Sequence, residues 1–355
     1  MLAVRLSRDK VAAIVGGMSS SPRTHAAIAA DAQWLAHRYQ PDRDAFHFRR
    51  VTREQHRAAA FLTDEYLTTG ADVVVARPEA LAHAPTPAPL HFIFHSAFCG
   101  STMLARAFDI DGVSMGLKEP GVLNEVSGLR RHGVEPRQVA AALDAALTLL
   151  ARPFGAGEAV IVKPSNVIGG YLPAIMTMRP HARAVLLHAP LPVFLGSVAR
   201  KGLWGRLWVR ELLAKLIDQE IVDLGFAPED YFRLTDLQVA GLGWLAQHAL
   251  FARLAERFGD RIRTLDSELL MAQPLAVMAA LGPHFGLSFD AAQVVAGPAF
   301  STHSKFGQTF DAAARAAERA AQEAAHADEL AKVETWALAV AANAGVDLTL
   351  PSPLL

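Results

Sequence analysis

The residues His91-Phe-Ile-Phe-His-Ser-Ala-Phe-Cys-Gly-Ser-Thr-Met-Leu-Ala-Arg106 carry the clearest chemical signal of the chain. An apolar run ends in small residues, and Leu104, Ala105 and Ala107 then read as a helix. The pattern predicts a strand, a tight loop of Ser96, Ala97, Phe98, Cys99, Gly100, Ser101 and Thr102, and a helix beginning at Ser101. Such a junction aims loop N–H groups and the positive end of a helix dipole at one point, which favours a phosphate or sulfate there. The loop departs from the nucleotide-triphosphatase pattern G-x-x-x-x-G-K-[ST]. His95 replaces the first Gly, and Ser101 stands where the Lys that reaches the terminal phosphates belongs.

Two charged residues are predicted to face the same crevice. Glu119, in Leu117-Lys-Glu-Pro-Gly121, follows the second expected strand. It either takes a proton from an acceptor hydroxyl or is a turn residue salt-bridged to Lys118 ahead of a strand-ending Pro. Lys163 ends the strand of Val160-Ile-Val-Lys-Pro. It either neutralises the oxygens of a transferring group or is a strand-end lysine in solvent. Cys99 is either a thiol acidified at a helix N-terminus or a small buried loop residue. His91 and His95 lie four residues apart on one strand face, which is no metal spacing, and neither H-E-x-x-H nor paired Cys motifs occur, so no metal is expected. Trp204, Trp208 and Trp244 read as core or as cover for an apolar acceptor.

The elements that position these residues follow from periodicity. After residue 90, strands and helices alternate: His91–His95, a helix from Ser101, Gly112–Leu117, Pro136–Leu150, Ala159–Val162, a helix near Gly170–Met178, and Ala182–Leu187. Helices over Leu191–Lys201, Arg206–Leu224 and Asp236–Phe258, a fifth strand at Arg261–Leu265 and a helix over Pro274–Phe285 complete the pattern. This predicts an α/β fold with a doubly wound parallel sheet of five strands and a helical insertion. Thr24 to Tyr39 and Arg53 to Thr68 read as helices, so residues 1–90 are expected to form a helical N-terminal extension and linker. The main domain is placed at 91–310. Residues 311–355 are expected to hold one long Ala-rich helix, from Asp311 to Ala342, packing an Ala/Leu/Val face on the core.

Composition narrows the class. The chain of 355 residues is 52% hydrophobic and 19% charged, which suits a globular fold. A net charge of −1 offers no basic field for nucleic acid, so any anion site is a local cluster. Pro and His interrupt the most apolar stretch, Ala184 to Ala199, so no membrane span is expected. Arg5, Arg8, Asp9 and Lys10 before Val11 to Val15 make a poor secretory signal, and the single cysteine forms no internal disulfide. Together these point to the cytoplasm, and an oligomer is compatible with them.

The loop resembles the 5′-phosphosulfate-binding loop of the sulfotransferases, whose bacterial members end an apolar strand in Arg-Ser-Gly-Ser/Thr-Thr-Leu-Leu; Phe98 to Leu104 matches its second half. The likeness extends over roughly residues 91–310, through the Lys163-Pro strand end, Met178-Arg-Pro-His-Ala-Arg to Ala189-Pro190, Thr264 to Pro274, Leu281 to Phe289, and the loop Ser301-Thr-His-Ser-Lys305. The resemblance implies a P-loop fold that moves a sulfuryl group from 3′-phosphoadenosine 5′-phosphosulfate to a small hydroxyl or amine acceptor. It implies that Ser96–Thr102 hold the 5′-phosphosulfate. His188, Ser197, Arg200, Lys201 and Lys305 would hold the 3′-phosphate, Lys163 would stabilise charge and Glu119 would be the base. Three departures stand beside it. Phe98 occupies the slot of the loop cation, Ser165 that of a catalytic His, and His188 that of a phosphate-binding Arg. Two other readings therefore stay open: a fold that binds an anion without catalysis, and a phosphotransferase. If Phe98 faces the donor, an Arg there is expected to tighten binding.

Overall fold

The computed structural model describes residues 22–221, 223–301 and 312–355. Lys305 and the stretch Arg5 to Val15 lie outside them. The chain opens with α1 (Pro22–Ala30), β1 (Trp34–Gln40), β2 (Ala45–Arg50), α2 (Arg53–Ala58), β3 (Val73–Ala76) and α3 (Arg77–His83). The three strands form an antiparallel sheet in the order β1-β2-β3. The expected helix over Thr24–Tyr39 is thus a helix and a strand, and that over Arg53–Thr68 stops at Ala58. The extension is mixed rather than helical.

Long-range capping causes both breaks. The buried guanidinium of Arg152 donates to Ile28 O, Ala29 O and Asp31 O at 3.0–3.1 Å and also to Trp34 O, ending α1 and anchoring the start of β1. Lys118 Nζ donates to His56 O and Arg57 O, taking up the last carbonyls of α2. The start of α2 is local: Thr52 and Gln55 form a capping box.

The second sheet follows with β4 (Leu90–His95), α4 (Ser101–Ala107), β5 (Ser114–Lys118), α5 (Gly121–Gly128), α6 (Pro136–Leu150), β6 (Ala159–Lys163), α7 (Leu172–Met178) and β7 (Ala184–His188). Then come α8 (Leu191–Arg200), α9 (Gly202–Asp218), α10 (Asp236–Phe258), β8 (Ile262–Asp266), α11 (Ser267–Ala272), α12 (Pro274–Phe285), α13 (Ala291–Ala296), α14 (Pro298–Ser301) and α15 (Ala312–Ala344). All five strands run parallel in the order β5-β6-β4-β7-β8. Runs such as Phe92-Ile-Phe94 and Val160-Ile-Val162 are buried on both faces, as an interior parallel sheet requires. From central β4 the chain leaves to one side for β5 and β6 and to the other for β7 and β8. This switch of direction opens a crevice at the carboxyl end of β4.

Both sheets share one apolar core, in which Phe46 and Phe48 of β2 pack with Phe92 and Phe94 of β4. A second apolar cluster gathers residues of α8 and α10 such as Phe194, Leu237 and Leu245, and Val333, Ala337 and Ala341 of the long last helix are buried in it. Beyond it the chain lies along the outer strand, with Thr264 N donating to Ser352 O and Leu354 N to Thr264 O, both at 2.9 Å. This covers an otherwise open sheet edge.

The core holds several histidines as neutral rings. Burial lowers His91, His188, His248 and His284 from 6.5 to about 4, and His56 to about 3. Unfolding returns them to ordinary values, so between pH 4 and 6.5 the unfolded chain binds more protons. Stability is therefore expected in full above about pH 6.5 and to fall as the pH drops below it. Urea midpoints measured at pH 7, 6 and 5 check this, and equal midpoints would contradict it.

Candidate active site

The loop after β4 is pinned at its start, where Ser96 N donates to Leu187 O at 3.1 Å and Ser96 Oγ accepts from Ala189 N at 3.2 Å. It then turns through left-handed backbone at Ala97 (φ 71°), Phe98 (φ 51°) and Gly100 (φ 77°). Non-glycine residues adopt this region at a cost, so the surrounding structure imposes it. Among the described residues the N–H groups of Phe98, Cys99, Gly100 and Thr102 have no protein hydrogen-bond partner. They gather at the N-terminus of α4, with Ser101 and Thr102 buried in its first turn. The arrangement is a nest of donors suited to an anion.

Not every side chain of the loop faces that nest. Phe98 sets its ring 5.7 Å from Phe194 and 5.1 Å from Trp208, which stacks in turn on Trp204. The expectation that an Arg at position 98 would meet the donor is corrected by this packing. Phe98→Arg is instead expected to lower stability by about 2 kcal/mol, because a charge replaces an aromatic wedge. Thermal melting with anion titration checks it; a stable variant that binds anions more tightly would overturn it. Cys99 is buried, and burial pushes its thiol up, so it is a packing residue rather than an acidified nucleophile.

Three charged or polar groups converge beside the loop. His95 Nδ1 accepts from Ala97 N at 3.1 Å, and its Nε2 lies 3.1 Å from Pro164 O and 3.8 Å from Glu119 Oε1. Glu119 Oε1 accepts a hydrogen bond from the buried Lys163 Nζ, while Glu119 N donates to Lys163 O at 2.7 Å. Glu119 is also left-handed (φ 50°), a turn that brings its carboxylate back toward β6. Its ion partner is thus Lys163, not Lys118, which is taken up by the α2 carbonyls. The second oxygen of Glu119 has no partner among the described residues. Phe61 lays its ring 5.1 Å from Lys163 Nζ.

The other expected anion contacts lie along β7 and α8. His188 ends β7 with its ring edge-on to His248 at 5.6 Å, largely buried and neutral rather than cationic. Ser197 Oγ accepts from Arg200 Nη2 at 2.7 Å on α8, and Lys201 Nζ sits 5.7 Å from the Trp204 ring. His95 as a positioning group and Phe61 as a wall were missed by the sequence reading. The sequence alone offers His95 only as the residue in place of the loop pattern's first Gly and as half of a pair without metal spacing, and Phe61 falls in a segment that reads as helix. Among the described residues no group of three or more His, Cys, Asp or Glu side chains could hold a metal ion. No described helix is long and apolar enough to cross a membrane.

No protein-family profile and no curated protein sequence matches this chain. The structure is similar to a sulfotransferase domain from the curacin biosynthetic pathway, at 13% identity and a TM-score of 0.39 over 62% of this chain and 80% of that one. It is similar also to the sulfotransferase domain of a Synechococcus olefin synthase, at 14% identity and 0.38 over 65% and 83%. A third similar structure is a sulfotransferase from Mycobacterium tuberculosis, at 16% identity and 0.36 over 60% and 71%.

Proposed function

We propose that this chain transfers a sulfuryl group from 3′-phosphoadenosine 5′-phosphosulfate to a small hydroxyl or amine acceptor. The observation that carries the reading is the placement of the Lys163–Glu119 pair beside a loop of unpartnered amides, with His95 touching both. The loop fits the phosphosulfate end of the donor, since its free N–H groups need acceptor oxygens and no carboxylate intrudes among them. Ser197, Arg200 and Lys201 are the residues proposed for the 3′-phosphate, with His188 as a neutral neighbour and Lys305 outside the described residues.

In this reading the loop amides and Thr102 orient the phosphosulfate oxygens. Glu119 takes the acceptor's proton on the oxygen that Lys163 leaves free. As the acceptor oxygen bonds to sulfur, the bond from sulfur to the 5′-phosphate oxygen breaks and its electron pair stays on that phosphate. Lys163 offsets the charge that develops there. Phe98, Ser165 and the neutral His188 favour a second reading, an anion-binding or regulatory protein without turnover. A phosphotransferase is the weakest alternative, because Ser101 stands in place of the loop Lys.

Calorimetry with adenosine 3′,5′-bisphosphate, paired with mass-spectrometric detection of sulfated products over a panel of hydroxyl and amine acceptors, tests the proposal. Binding with product formation supports it. Binding without product over the panel supports the second reading, and no binding overturns both.

A further inference from the structure

The first turn of the loop is closed by a ring. Ala97 is left-handed (φ 71°), a conformation from which its methyl side chain gains nothing, and its N–H donates to His95 Nδ1 at 3.1 Å. A side-chain acceptor that takes the amide two residues on is the device by which Asn and Asp build tight turns. Because an amide N–H only donates, Nδ1 presents its lone pair and the ring's proton sits on Nε2. Nε2 in turn donates to Pro164 O at 3.1 Å, the residue directly after Lys163. One buried imidazole thus joins the left-handed turn to the end of β6. Ser96 ties the loop to β7 one residue earlier, so the bond to Nδ1 is what closes the turn from which the amides of Phe98, Cys99 and Gly100 run into the nest.

We propose that His95 is a positioning residue that holds the anion nest in shape only as the neutral Nε2–H tautomer. The inference rests on the reading of the loop as the phosphosulfate site. A ring protonated on both nitrogens has no lone pair for Ala97 N, and its Nδ1–H would face that N–H, so protonation and the left-handed turn exclude each other. The charge gained would lie nearest Glu119 Oε1, 3.8 Å from Nε2, rather than in the nest.

Among the described residues Glu119 and its partner Lys163 are the charged groups beside the ring. The Cys99 thiol, also within the field of Lys163, is pushed up by burial and stays neutral. Ser165, Asn166 and Gln247, which border the ring across a small cavity, do not titrate. With Nδ1 taken by Ala97 N and Nε2 already carrying its proton, the ring has no lone pair to offer an acceptor hydroxyl, which leaves the base to Glu119.

The test uses the full chain and calorimetry with two probes, adenosine 3′,5′-bisphosphate at about pH 8 and sulfate from about pH 8 to about pH 5, the range over which imidazole titrates and sulfate keeps its charge. His95→Asn sets an oxygen where Nδ1 stands and keeps an acceptor for Ala97 N. His95→Gln reaches the place of Nε2 and loses that acceptor. At the alkaline end the Asn variant is expected to bind both probes as the parent does, and the Gln variant about tenfold more weakly or worse. Toward the acid end the parent is expected to lose sulfate affinity about tenfold, while the Asn variant, which keeps every other buried histidine, is expected to lose none. Equal affinities in the two variants overturn the proposal. A parent whose sulfate affinity holds or rises on acidification also overturns it, whether or not the variants fold. A parent that binds neither probe at the alkaline end overturns the loop as an anion site, and this role of His95 with it.

Discussion

Glu119→Gln is expected to lower turnover by ~10²–10⁴-fold while the affinity for adenosine 3′,5′-bisphosphate stays unchanged. The amide keeps the shape of the side chain and still offers Lys163 an acceptor oxygen in place of the carboxylate it now binds. It cannot take a proton from an acceptor hydroxyl. The donor contacts proposed on the loop and on α8 do not involve Glu119, so binding is the internal control. Turnover measured at saturating donor, with bisphosphate affinity measured by calorimetry, separates the two effects. Equal turnover in the variant would mean that another group is the base, and His95, 3.8 Å from Glu119, would be the next to replace.

Gly116→Ala is expected to destabilise the fold by about 3 kcal/mol or more, independently of any catalytic reading. Gly116 lies in β5 where α4 crosses it, and an added Cβ would stand 2.0 Å from the Ala105 carbonyl oxygen. The obstacle is backbone, so no rotamer change relieves it. The helix that carries the loop must move off the strand or the strand must bend. Anion binding at the loop should weaken together with stability, because Ser101 and Thr102 travel with α4. Gly128→Ala serves as the control, since its new methyl meets nothing within 4 Å and its φ of −73° is helical. That variant is expected to be neutral or to gain ~0.5–1 kcal/mol. Urea unfolding of both variants decides the matter, and a Gly116→Ala protein as stable as its parent would show that the α4–β5 contact is looser than described.

The sequence by itself determined the parallel half of this protein. Its strands are buried on both faces and so read as unbroken apolar runs, and α6, α10 and α12 begin at Pro136, at the Thr235–Gln238 capping box and at Pro274, all local signals. The loop was legible for the same reason: small residues between a strand and a helix mark the turn wherever the rest of the chain goes.

Tertiary structure decided what depends on distant partners. The N-terminal sheet escaped the periodicity because β1 and β2 mix His and Arg with their apolar residues, and because α1 ends on the carbonyl bonds of Arg152, over a hundred residues away in sequence. The pairing of Glu119 with Lys163 arises from the register that sets Lys118 beside Lys163, followed by a left-handed turn at Glu119. Spacing along the chain contains neither. The direction of Phe98 was settled likewise by its left-handed backbone and by Phe194 and Trp208, which receive the ring. Residue type can announce that a loop suits an anion, but which side chains face that anion is a matter of backbone angle and of the neighbours that long-range folding brings.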